Sequence, residues 1–238
     1  MYMNDLMVAG HNLASVIKLN KDLASMFEMS DCGELRHFLG MKIEYNHEDG
    51  QLQLSQDASI DKLITRFGMS ECNPARTPME KGLVLKREGE NINQPYRELL
   101  GSLMYVMLSV RPDICYPVGY LGRFQQQPST EHWQALKRIV RYLQGTKKLM
   151  LQFKRNPKSR ALIGFVDADW ASDTEDRKSI SGYIFQVFGC TVAWCSKKQT
   201  TVATSSSEAD IYVNTYISLL CENTTTGLWS YLSIGMHQ

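Results

Sequence analysis

The sequence predicts an α+β protein whose last third turns β-rich, and three observations predict it. Apolar residues recur at helical spacing in three separate stretches. One stretch near residue 51 alternates strictly, and the section after residue 160 consists of short apolar runs around glycine turns. With 238 residues, 43% of them hydrophobic, the chain is long enough to bury a core and too apolar for disorder.

Taken in order, Tyr2 to Ala9 is a short apolar run with Asn4-Asp5 suited to the tip of a hairpin. Ala14 to Phe27 places Val16, Leu19, Leu23 and Phe27 on one helical face, and Leu35 to Tyr45 holds the apolar stretch Phe38 to Ile43. Gln51 to Ser55 alternates, with Leu52 and Leu54 on one side, so a strand follows the Asp49-Gly50 turn. Ile60, Leu63, Ile64 and Phe67 form the next helical stripe. Asn73 to Asn93 is rich in proline, glycine and charge and reads as a linker. Tyr96 to Leu108 resumes an apolar pattern that breaks at Arg111-Pro112. Ser129 or Thr130 can cap a helix running to about Gln144, with Gly145 as its stop. Its core stripe is Trp133, Leu136, Ile139, Val140 and Leu143, and Lys137, Arg138 and Arg141 point off that stripe. Ala161 to Asp167 is then an apolar run ending in acids, while Tyr183 to Phe188 and Thr191 to Trp194 flank a turn at Gly189. There is no internal repeat.

The net charge of +1 argues against a nucleic-acid partner only until the chain is divided. Residues 1–100 carry 11 basic and 15 acidic side chains, residues 101–160 carry 11 and 2, and residues 161–238 carry 4 and 8, so the balance runs −4, +9, −4. The six cysteines, at 32, 72, 115, 190, 195 and 221, contain no Cys-x-x-Cys pair and read as small buried hydrophobes in a reducing compartment, not as a zinc site. Met1 to Asp5 meets an acid at once and lacks the basic start of a signal peptide. The uncharged apolar run Leu99 to Val110 is twelve residues, well short of the roughly 20 a membrane span needs. These readings place the chain inside the cell, cytoplasmic or nuclear and not secreted, with no membrane partner.

Three groups of residues can carry chemistry. In Val166-Asp167-Ala168-Asp169-Trp170 an apolar strand runs into carboxylates, which at a sheet rim can converge on divalent cations. Solvated turn acids are the ordinary alternative. Glu208-Ala209-Asp210 follows three serines, a pattern that an ordinary capped helix start explains by itself. Tyr2-Met3-Asn4-Asp5 offers one carboxylate beside an amide in a polar turn.

Together these stretches resemble the Pol polyprotein of copia-type retrotransposons. The resemblance rests on motifs that occur in the family's order: Tyr2-Met3-Asn4-Asp5, Thr77-Pro78-Met79, Tyr96 to Tyr105, Arg111-Pro112-Asp113-Ile114, and His132-Trp133 through Leu143-Gln144-Gly145-Thr146. It continues through Val166 to Ala171, Asp176-Arg177-Lys178-Ser179, Ser181-Gly182-Tyr183, Ser196-Lys197-Lys198-Gln199 and Ser205 to Ala209. It implies an α+β reverse-transcriptase palm remnant and thumb over residues 1–92, a basic helical connection over 93–157, and a partial ribonuclease H-like α/β domain with a divergent tail over 158–238.

In the family the polymerase hairpin reads Tyr-x-Asp-Asp, so Asn4 stands here for an aspartate and only Asp5 remains. The family's fingers and other palm aspartate are expected upstream of Met1. Asp167 matches the first catalytic aspartate of the ribonuclease H site, and Asp210 stands where the family has its catalytic glutamate, one methylene shorter. Glu208 matches the preceding, non-catalytic acid and is the alternative carboxylate for that role. The later catalytic aspartates are expected beyond Gln238, and the tail through Asn223-Thr224-Thr225-Thr226-Gly227 is a poor helix former. Mg²⁺ or Mn²⁺ is the implied cofactor, in a weak, incomplete site at Asp167 and Asp210. The basic block, Lys137, Arg138, Arg141, Lys147, Lys148, Lys154, Arg155, Lys158 and Arg160, is where the family tracks an RNA:DNA hybrid or duplex, through phosphates and without base readout. The expectation is a truncated, catalytically incomplete Pol fragment. A non-enzymatic nucleic-acid binding module and an unselected pseudogene product remain open beside it.

Overall fold

The computed structural model describes residues 6–10, 12–87, 89, 92–154, 162–173 and 176–211. The chain begins with α1 (Leu13–Met26), whose first turn is closed by the Asn12 side chain accepting the Ala14 N–H at 2.8 Å. No residue of α1 is buried. Of its expected core stripe, Val16 and Leu23 are half-covered, whereas Leu19 is 46% and Phe27 60% exposed. Periodicity makes one face apolar; it does not supply a surface to cover that face.

β1 (His37–Phe38) and β2 (Met41–Asn46) pair across the two-residue turn Leu39-Gly40, whose φ values of 46° and 71° match the right-handed twist of the strands. Neighbouring helices hold this turn: Tyr105 OH donates to the Leu39 carbonyl and Ser59 Oγ donates to the Gly40 carbonyl at 2.9 Å. β3 (Gln51–Ser55) pairs with β2 as the alternating pattern predicts, yet every residue of it is half-buried. The reason is β4 (Leu151–Lys154), which arrives from far along the chain and takes the other edge of β3, completing an antiparallel sheet ordered β1-β2-β3-β4.

One hydrophobic core follows. α2 (Asp57–Arg66) contributes Ile60, Leu63 and Ile64, and α3 (Tyr96–Ser109) contributes Leu99, Leu100, Leu103 and Val106. α4 (Cys115–Leu121) adds Val118 and Leu121, and α5 (Thr130–Thr146) adds Leu136, Ile139, Val140 and Leu143. Trp133, expected in the α5 stripe, is only partly buried. The segment expected as a linker is no free tether. Ala75 N–H donates to the Arg141 carbonyl, Ala75 and Leu85 are buried, and Leu85 N–H donates to Tyr120 Oη at 3.0 Å, so the segment lies as a strap across α4 and α5. Gly145 does not stop α5, which runs on to Thr146. A Cβ at Gly145 would stand 3.0 Å from Cβ of Pro74, so the glycine lets the strap approach the helix closely.

α5 starts with a reciprocal cap. Ser129 Oγ accepts the His132 N–H, and the ring Nδ1 of His132 accepts the Ser129 N–H at 2.9 Å. His132 is fully buried against Phe124, with ring centroids 4.0 Å apart. Burial pushes its pKa below the ordinary histidine value, with a small opposing effect of Glu131. Protonating Nδ1 also removes the lone pair that closes the cap. The folded state therefore binds fewer protons than the unfolded chain, so stability is complete above the ordinary value of about 6.5 and falls as pH drops below it. Thermal melts at about pH 7.5 and 5.5 are expected to show this loss, and His132→Gln, which can cap without titrating, is expected to shrink it.

A second antiparallel sheet, ordered β5-β6-β7, is built from β5 (Leu162–Asp169), β6 (Ile180–Val187) and β7 (Cys190–Lys198). The β6–β7 turn sits at Phe188-Gly189, with φ of 50° and 81°, where the sequence placed it. β7 packs on α4 and α3, with Trp194 Nε1 donating to the Met107 carbonyl at 3.1 Å. Asp173 is nearly buried beyond the end of β5 and takes Arg123 at 2.5 Å and Lys198 at 2.6 Å, tying the sheet to the helices. Residues 206–211 are helical. The five described cysteines are free thiols. Cys32 is exposed and Cys72, Cys115, Cys190 and Cys195 are only half-buried, short of the burial expected of them, although partial burial still pushes the Cys115 thiol up to about 11.

Candidate carboxylate site and nucleic-acid interface

Asp167 and Asp169 lie two residues apart on β5, on one face of the strand and exposed, opposite Gly182 and Ile180 of β6. Trp170, next along, anchors the loop by donating its ring N–H to the Ala203 carbonyl at 3.1 Å. Buried Gln199 donates from Nε2 to Ser181 Oγ at 2.8 Å and to the Ala209 carbonyl at 3.0 Å. Ser181 pairs with Ala168, so one amide joins the residue before Asp210 to the strand pair beside Asp167. In the sequence Gln199 only closes the stretch Ser196-Lys197-Lys198-Gln199, and a glutamine after two lysines carries no burial signal.

The two acids of the Glu208-Ala209-Asp210 group have different surroundings. Ser205 Oγ accepts the Glu208 N–H at 3.2 Å, and Glu208 Oε2 accepts both the N–H and the hydroxyl of Thr204 at 2.6 Å. These bonds hold the Glu208 carboxyl below its usual range. Glu208 is thus engaged as a helix-start cap, while Asp210 is exposed. Among the described residues, no three His, Cys, Asp or Glu side chains converge to hold a metal ion. Asp167 and Asp169 are exposed and no third described carboxylate joins them, so the described residues do not assemble a divalent-cation site. Asn4 and Asp5 lie outside the described residues.

The basic block is partly engaged inside the molecule. Arg111 is 1% exposed: its Nε and Nη2 form a two-point bond with Asp113 at 2.9 and 2.6 Å, and it also reaches the carbonyl and hydroxyl of Thr146. Arg123 belongs to Asp173. On α5, Arg138 pairs with Glu80 at 2.8 Å and donates to Thr77 Oγ1 at 3.1 Å, and Arg141 donates to the Asn73 carbonyl at 2.7 Å. Lys147, just past the helix end, pairs with Asp61 of α2 at 2.8 Å. Lys137 and Lys148 make no ion pair among the described residues; Lys148 is exposed and Lys137 half-exposed. Lys154 ends β4, and Arg155, Lys158 and Arg160 lie outside the described residues. The structural uses of Arg111 and Asp173 were missed from sequence. The one available signal was Asp113 two residues after Arg111, where an arginine and a carboxylate can meet locally.

The mixed fold with its antiparallel sheets agrees with the sequence comparisons, which define a protein related to reverse transcriptases. The family model for reverse transcriptase (RNA-dependent DNA polymerase) matches residues 1–81. The chain belongs to the Pol polyprotein family of copia-type retrotransposons. It is 38% identical over 219 residues to the retrovirus-related Pol polyprotein from transposon TNT 1-94 of Nicotiana tabacum, covering 88% of this chain and 16% of that protein. To the Pol polyprotein from transposon RE1 of Arabidopsis thaliana it is 37% identical over 212 residues, covering 88% of this chain and 14% of that one. It is also 47% identical over 137 residues to secreted RxLR effector protein 161 of Plasmopara viticola, 58% of this chain and 92% of that protein. The chain thus spans about one sixth of the TNT 1-94 polyprotein. No solved structure matches it. Among the described residues no helix is long and apolar enough to cross a membrane.

Proposed function

We propose that this chain is a Pol-derived module that contacts RNA:DNA hybrid or duplex nucleic acid through the basic face of α5 and is catalytically incomplete. The division into a palm remnant and thumb (1–92), a basic connection (93–157) and a partial ribonuclease H-like domain (158–238) belongs to this proposal. The observation that carries it is the charge of +9 over residues 101–160, together with Lys137 and Lys148 on and beside a helix whose opposite face is anchored in the core. A rigid helix holding cations in fixed positions neutralises phosphates without reading bases. Incompleteness is supported by Asn4 in place of an aspartate, Asp210 in place of a glutamate, and the engagement of Glu208 with Thr204.

Fluorescence anisotropy with a short labelled RNA:DNA hybrid tests the binding. Affinity is expected to fall steeply with salt, and Lys137→Ala/Lys148→Ala is expected to flatten the dependence of log K on log salt by up to about 2. No binding at low salt sinks the reading. Incubation of the same hybrid with Mg²⁺ or Mn²⁺ tests the incompleteness: robust cleavage that disappears in Asp167→Asn overturns it.

A further inference from the structure

Of the five cations assigned to the interface, three are held by groups of this chain, and two of those three by carboxylates. Glu80, on the strap, takes Arg138 at 2.8 Å, and Asp61, on α2, takes Lys147 at 2.8 Å. Both acids are more than half exposed, at 62% and 54%, and their cations are 26% and 35% exposed, so both pairs lie at the water boundary where a phosphate can reach them. Exposed pairs of this kind are worth little and exchange readily. The strap itself is firmly seated, since Ala75 and Leu85 are buried and Leu85 N–H is bonded to Tyr120, so Glu80 is presented to Arg138 by a fixed backbone. Arg141 differs: its partner is the Asn73 carbonyl, which carries no net charge, so its own charge stays uncancelled.

We infer that the nucleic-acid face of α5 is self-screened, with Glu80 and Asp61 occupying Arg138 and Lys147 in the free protein and giving them up to phosphates on binding. The inference rests on the binding reading above and specifies its regulation. Lys137 and Lys148 make the first contact, and the two ion pairs then set how strongly the encounter is consolidated. Two consequences follow from charge alone. Each acid displaced remains nearby and repels the phosphate that replaced it. Each cation already neutralised within the molecule contributes less to counterion release.

Removing the two acids therefore strengthens binding. In the anisotropy assay with the labelled hybrid, Glu80→Gln/Asp61→Asn is expected to bind about threefold to tenfold more tightly at low salt and to steepen the salt slope by up to about 2. Glu28→Gln/Glu34→Gln serves as the charge control, because it removes two acids that pair with no α5 cation, and it is expected to tighten binding distinctly less. Circular dichroism melts establish that each variant is folded. Wild-type binding with no gain in Glu80→Gln/Asp61→Asn, or a gain no greater than that of the control, overturns the self-screening. Absence of binding by the wild type and every variant overturns the nucleic-acid reading itself. If the double variant alone does not fold, the single variants are compared in the same way, and equal affinities again overturn the inference.

Discussion

Asp113→Ala is expected to lower the unfolding free energy by about 3–5 kcal/mol, because it strands the buried guanidinium of Arg111 without its carboxylate. Arg111 is 1% exposed, and its remaining partners, the carbonyl and hydroxyl of Thr146, are neutral and cannot balance its charge. The same carboxylate accepts the Tyr142 hydroxyl at 2.8 Å, so the substitution also frees a second group. The network joins the turn after α3 to the end of α5, and its loss loosens both. A fall in melting temperature of about 10 °C checks the prediction. In an Arg111→Met background the same substitution is expected to cost much less, since the stranded charge is then gone, and an equal cost in both backgrounds would show that the pair is not the cause. Burial raises the carboxyl pKa of Asp113, but the bonds and charge of Arg111, with Tyr142, outweigh it, so the pKa lies below its ordinary value. The folded-state pKa is the lower one, so this contribution is present above the ordinary carboxylate range and is lost as pH falls through the folded value.

Leu136→Ala is expected to cost about 3–5 kcal/mol, and Leu19→Ala less than about 1. Both leucines occupy helical apolar stripes of similar appearance in the sequence. Leu136 is 0% exposed and enclosed by the core of α2, α3, α4 and α5, so its truncation leaves a cavity that the surrounding side chains cannot fill. Leu19 is 46% exposed on a helix with no fully buried residue, so only a part-covered side chain is lost. Urea unfolding of both variants distinguishes them, and comparable midpoint shifts would mean that α1 is packed as firmly as α5.

Local features were readable in advance. The strand Gln51–Ser55, the stripes Ile60-Leu63-Ile64 and Leu136-Ile139-Val140-Leu143, the cap at Ser129 and the turn at Gly189 all come from residues a few positions apart. Gly145 has the look of a helix stop in the sequence, but its reason lies at Pro74, across the fold. The strap reads as a linker in the sequence because proline and glycine mark an irregular backbone without showing that it is seated. At the candidate sites, the residue types and their order identified the family, but the state of each charge was invisible. Glu208 is a cap, Arg111 a buried tie, and Arg138 and Lys147 are already paired.

The sequence by itself determined the family, the helical and strand periodicities and the separation of charge into −4, +9 and −4 blocks, because each is a property of neighbours in the chain or of composition. Only the tertiary structure decided which apolar faces are covered, which cations are free, and that β4 completes the sheet begun by β1 to β3. Burial and ion pairing depend on groups brought within a few ångströms from distant positions, and in a single sequence nothing local records the other partner.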